Sequence, residues 1–141
     1  MPKGAGMEQR ARIEAVIRAA YEARRRGDLD GVMAHFAPRA QFMLVGSPAA
    51  SPVPLSAMGD AAVREVLRRL MASFEFREVE LRLLLIEGDK AAVHWSARVR
   101  VPASGQEAET ELLDLIGFEG DKIVLFKQFA DTALAARLLG A

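Results

Sequence analysis

Two adjoining stretches, DAAVREVLRRLMASF (residues 60–74) and REVELRLLLIEGDKAAVHWSARVRV (residues 77–101), decide the fold, because the apolar period changes between them. In the first, Val63, Val66, Leu67, Leu70, Met71 and Phe74 recur at helical spacing, which predicts a helix with one apolar stripe and Asp60 as its cap. From Arg77 the period falls to two. Val79 to Ile86 reads as a strand, Gly88-Asp89 as a tight turn, and Ala91 to Val101 as a second strand. Val93, Trp95, Ala97, Val99 and Val101 then share one face, and His94, Ser96, Arg98 and Arg100 the other.

Towards the N-terminus, Met7 to Arg26 predicts a helix through Ile13, Val16, Ile17, Ala20 and Ala23. Gly27 stops it, and Asp28 caps a second helix carrying Leu29, Val32, Met33 and Phe36, ended by Pro38. A short strand, Ala40 to Val45, follows. Gly46 to Gly59, rich in proline and serine, reads as a loop bordering a pocket mouth and more mobile than the sheet. Towards the C-terminus, a long strand ends at Glu119, Gly120-Asp121 turns the chain, and Lys122 to Ala130 is the last strand. Asp131-Thr132 cap a final helical turn bearing Leu134, Leu138 and Leu139. Helices first and an antiparallel meander afterwards define an α+β domain.

Composition narrows the function. The chain has 141 residues, one domain's worth, with residues 1–6 expected as a flexible N-terminus and 7–141 as one domain. Lys+Arg and Asp+Glu are 19 each, so no net field favours nucleic acid or an anionic membrane. The absence of cysteine removes disulfides and thiolate chemistry, and fits a cytoplasmic setting. No apolar run approaches the length of a membrane span. His35 and His94, isolated and without a carboxylate pattern, make no metal site, and no cofactor motif occurs.

Tyr21 to Gly31 (YEARRRGDLDG) with His35-Phe36-Ala37, the helix from Gly59 to Leu70, and FEGDKI (118–123) with FKQFADTAL (126–134) resemble ketosteroid isomerases and SnoaL-like proteins of the nuclear-transport-factor-two-like superfamily. The resemblance implies a cone-shaped fold, with a curved antiparallel sheet wrapped around three N-terminal helices and a pocket inside. It covers nearly the whole chain from Met7, but the superfamily holds isomerases, epoxide hydrolases, polyketide cyclases and non-catalytic binders.

Carried over residue by residue, the isomerase base falls at Leu44, which accepts no proton, and the oxyanion-hole tyrosine falls at Ala20, one place before Tyr21. The protonated aspartate of the same site falls at Asp114, which is present. The Asp–Arg–Asp set of limonene-epoxide-hydrolase-like enzymes falls at Gln128, Trp95 and Ala97 and is lost.

Asp114 sits in LLDLI (112–116), in parity with Leu112 and Ile116. Three readings are open: a pocket acid with a raised pKa, a buried structural carboxyl, or an outward residue after a bulge. Gln128, in parity with Val124 and Phe126, either bonds a ligand or satisfies Asp114 across the strands. The catalytic candidates are therefore Asp114 and Gln128, and Tyr21, Phe36, Phe42, Leu44, Trp95 and Phe126 are the candidate pocket walls. Arg24-Arg25-Arg26 reads as a solvated helix end.

Two functions follow: an isomerase-, cyclase- or hydratase-type acid–base enzyme acting without metal on a small hydrophobic ligand, or a non-catalytic ligand-binding or dimeric interaction module that has lost its base. Leu81, Leu83 and Leu85 are expected on one face of their strand and Leu84 and Ile86 on the other, as Leu113 and Leu115 oppose Leu112 and Ile116; a sheet apolar on both faces predicts a homodimer through the outer one.

Overall fold

The period change separates a helical half from a sheet half in the computed structural model, which describes residues 3–47, 51 and 53–140. The first helix, α1 (Lys3–Arg26), starts four residues before the expected Met7 and buries Ile13, Ile17, Ala20, Tyr21 and Ala23. α2 (Leu29–Met33) is capped by Asp28, whose side chain accepts from Gly31 N at 2.9 Å. It ends earlier than expected, and Phe36 opens the strand β1 (Phe36–Val45) instead. Pro38 biases Ala37 to extended backbone, and pairing with the last strand carries that extension back to Phe36. Phe36 then pairs with Ile123, and Ile123 N donates to His35 O at 2.8 Å.

The loop after β1 contains a short strand, β2 (Ser56–Met58), antiparallel to β1 along the sheet edge. Residues 48–50 and 52 of the expected lid lie outside the described residues. α3 (Asp60–Ser73) buries Val63, Val66, Leu67 and Leu70, as its stripe requires. Its cap position is Gly59 rather than Asp60, because φ there is 88°, a conformation L side chains rarely adopt. Asp60 stands in the first turn, where its charge complements the helix dipole.

β3 (Glu75–Glu87), β4 (Lys90–Arg100), β5 (Glu107–Glu119) and β6 (Lys122–Phe129) form the meander, and α4 (Thr132–Leu138) follows, capped by Asp131 through Leu134 N at 3.0 Å. The sheet order is β2-β1-β6-β5-β4-β3, antiparallel throughout except for β1, which lies parallel to β6. A parallel pair needs a long crossover, and β2, α3 and β3 to β5 supply it.

β3 has 13 residues against 11 on β4, and the register slips twice, between Arg77 and Glu80 and between Leu81 and Leu83. Glu78 sits at the first slip with φ 52°. Such bulges bend and twist a strand, which curls this edge of the sheet around the helices. The second slip also corrects an expectation. Leu81 lies opposite Trp95 and packs on the core, whereas Leu83, opposite His94, and Leu85 face outwards.

The core lies between α1, α3 and the concave face. Ile13, Ile17, Val63 and Val93 are completely buried in it, and truncating Ile17 to alanine is expected to cost about 2–5 kcal/mol. Among the described residues no helix is long and apolar enough to cross a membrane.

Candidate functional site

Strand alternation puts Leu112, Asp114 and Ile116 on the concave face of β5, and Asp114 is the one charged residue that is fully buried, at 0% exposure, among the described residues. A lone carboxyl in that position is costly unless its oxygens are bonded. Three donors converge on it. Tyr21 Oη, from α1, and Trp95 Nε1, at 2.7 Å, both donate to Oδ2. Gln128 Nε2, on β6 directly opposite in register, donates to Oδ1 at 3.0 Å. The outward-facing reading of Asp114 is thereby excluded, and no buried side-chain oxygen or nitrogen among the described residues lacks a partner.

Burial pushes the Asp114 carboxyl up to about 7, against the opposing pull of the hydrogen bonds from Tyr21, Gln128 and Trp95. Desolvation thus outweighs three donors, and the group sits between its two protonation states near neutral pH. The Tyr21 phenol is held well above its ordinary value by burial first, and then by the Asp114 charge and hydrogen bond. Within this cluster Trp95 Nε1 can only donate, whereas the Tyr21 hydroxyl is a rotor that can donate elsewhere once Asp114 carries the proton.

The cluster forms part of the wall of a cavity of about 150 Å³ between α1, α3 and the sheet. Phe36, Phe42, Leu44 and Phe126 line the same cavity, so all eight candidate residues meet there. Phe42 and Phe126 are stacked at 5.5 Å, and Tyr21 and Phe76 each meet Trp95 edge-on, at 5.2 and 5.1 Å. Ser47, Ser51 and Leu55 of the loop, with Thr132 and Leu134 at α4, also border it.

Tyr21 reaches Asp114 although it stands one place after the position the isomerase resemblance marks. One residue turns a helix by about 100°, yet Ala20 and Tyr21 both border the cavity, and the longer side chain covers the difference. Leu44 pairs with Gln128, so the strand position of the isomerase base does face the site, with an alkyl chain there. The middle strand keeps its expected parity, with Trp95 and Ala97 buried.

Arg24 was missed. Its guanidinium is not a solvated helix end but lies 4.2 Å over the Phe76 ring and donates through Nη2 to Phe74 O at 2.9 Å. The signal was present, since Arg24 is one turn beyond Ala20 and Tyr21 on the buried stripe of α1. The histidines stand apart: His94 Nε2 meets Glu111 at 2.8 Å on the convex face, and His35 lies near Lys122.

A family model described as the SnoaL-like domain matches residues 17–126. No curated protein sequence matches the chain. Among solved structures, a candidate isomerase from Bacillus subtilis superposes with a TM-score of 0.85 at 13% identity, over 94% of this chain and 95% of that one. An NTF2-like protein of unknown function from Burkholderia pseudomallei K96243 gives 0.80 at 24% identity, over 92% and 98%. TerC, co-crystallised with polyporic acid, gives 0.80 at 18% identity, over 92% and 99%. At these identities the likeness establishes the cone-shaped fold.

Proposed function

Since the chain belongs to the SnoaL-like domain family, we propose that it binds a small hydrophobic carbonyl compound in the cavity beneath α1 and α3, with the carbonyl oxygen directed at the Tyr21–Asp114 pair. The observation that carries this reading is Asp114, the one fully buried carboxyl among the described residues, set in a mostly aromatic and aliphatic wall. Trp95, Phe42 and Phe126 offer flat surfaces for a ring. The co-crystal of TerC with polyporic acid supports a small-molecule role for a relative of this fold.

Charged, Asp114 holds the Tyr21 hydroxyl towards itself. Protonated, it donates one hydrogen bond of its own and releases the Tyr21 hydroxyl to a ligand oxygen. A carbonyl bonded in this way is polarised, and negative charge developing on its oxygen is stabilised as a neighbouring C–H is lost or a ring closes. The reaction class is acid-assisted isomerisation, cyclisation or hydration, with water or the substrate itself taking up the proton.

The alternative, a binder without turnover, is favoured by one observation. The cavity carboxylates among the described residues are Asp114, already bonded to three donors, and Asp131, engaged as the cap of α4. Leu44 supplies no base.

Titration with cyclohexanone, followed by fluorescence of the sole tryptophan, Trp95, tests the binding role. Asp114→Leu is expected to weaken binding by about 1–3 kcal/mol. Equal affinity in wild type and a stably folded Asp114→Leu would remove the basis of this assignment.

A further inference from the structure

α1 ends in three consecutive arginines that behave differently. Arg25 pairs with Glu22 at 2.6 Å, and Arg26 with Glu22 and Asp28 at 3.8 and 3.4 Å. Arg24 turns inwards, borders the cavity and has no carboxylate partner among the described residues. A partly buried cation commonly has a counter-ion, because desolvation penalises its charge. Here, among the described residues, the Phe74 carbonyl oxygen and the face of Phe76 are what its guanidinium meets. Burial pushes the guanidinium down to about 9, so it remains charged at neutral pH.

A guanidinium offers five N–H donors in a planar fork. Arg24 uses Nη2 on Phe74 O, and since no buried side-chain nitrogen among the described residues lacks a partner, its other donors open onto accessible space. Arg24 borders the cavity on one side and, on the other, a cleft that Arg68 and Glu75 also line. Arg24 lies three residues, about 4.5 Å, further along α1 than Tyr21. On the sheet it meets Phe76, which touches Trp95, which donates to Asp114. Arg24 and Asp114 thus stand at two ends of one aromatic wall.

We infer that Arg24 is an anion-binding group and that the ligand is a hydrophobic carboxylate, its carboxylate on the Arg24 fork and its carbonyl at Tyr21–Asp114, at the other end of the Phe76–Trp95 wall. The inference rests on the cavity reading proposed above and adds the second polar end of the ligand. A bidentate pair at this fork fixes the long axis of the molecule, which a lone carbonyl contact does not.

The test uses three probes on the full chain, measured by calorimetry: cyclohexanone, 3-(4-oxocyclohexyl)propanoate and the corresponding propanamide. The acid is expected to bind at least about tenfold more tightly than the amide, and Arg24→Gln should abolish that preference. Excess cyclohexanone should displace the acid. Equal affinity for acid and amide in the wild type overturns the inference, and so does a preference that survives Arg24→Gln. A preference that excess cyclohexanone does not compete away places the anion in the outer cleft and overturns it as well. If cyclohexanone binds in these cases, the cavity reading stands and only the anion site falls; if no probe binds, both fall. Should Arg24→Gln fail to fold through loss of the Phe74 contact, the wild-type ratio and the competition decide.

Discussion

The two faces of the meander carry nearly the same residue types and do opposite things with them. On β5, Asp114 points inwards and Glu111, three residues earlier, outwards. Asp114 is sealed among Tyr21, Trp95 and Gln128, whereas Glu111 meets His94 in solvent. Leucines divide in the same way. Leu112 and Leu81 pack on the core, while Leu83, Leu85, Leu113 and Leu115 are 39–56% exposed. The difference teaches that chemistry here comes from cover, not from residue identity. Helices over the concave face remove water and lift the pKa of Asp114; the convex face has no such cover in one copy. We propose that a second copy supplies it, making an isologous dimer.

The sharpest break in the comparison is pH dependence. Asp114 titrates at about 7 folded and near 4 unfolded, so between those values the folded state binds the extra proton and stability falls as pH rises. The stability present below pH 4 is lost by pH 7 and above, to the order of 4 kcal/mol. Urea unfolding at pH 5 and pH 8 should show about 3 kcal/mol of this in wild type and lose it in Asp114→Asn, while Glu111→Gln on the other face keeps it. His35, whose pKa burial lowers, acts in the opposite sense in every variant and cancels from the difference.

The outer face gives the next effect. Leu113→Glu places an unpaired charge in the proposed interface and should cost the dimer about 3 kcal/mol, read by light scattering as a monomer. A monomeric wild type at micromolar concentration would refute the covered-face proposal.

Fold and site were unequally legible in the sequence. Alternation from Val93 to Val101 and the stripe from Val63 to Leu70 placed helices and strands, because burial imposes those periods over many residues at once. Single insertions escape that averaging. The slip at Leu81–Leu83 set Leu81 apart from Leu83 and Leu85, and pairing with β6 moved Phe36 from helix to strand. Within the site, Asp114 could be found because a carboxyl interrupts an apolar face. Tyr21 was displaced by one position in the family frame, and Arg24 was hidden in a basic run although its helical phase matched the buried stripe.

Smaller effects sharpen the inner side. Trp95→Phe keeps a ring but removes one donor to Asp114, and should cost about 1–2 kcal/mol at pH 8, less at pH 5, where the protonated carboxyl needs that donor less. Asp28→Ala lies on neither face of the sheet. It removes the α2 cap and should lower stability by about 1 kcal/mol by urea unfolding, equally at both pH values.

The central claim, that the cavity holds a carboxyl poised between its two states, is tested most directly by carbon-13 NMR of the aspartate side chains across pH. The account predicts one carboxyl, absent in Asp114→Asn, that titrates near 7 and shifts when cyclohexanone is added. If every aspartate titrated near 4, with none responding to the ketone, Asp114 would be an ordinary solvated carboxylate and the proposed chemistry would be contradicted.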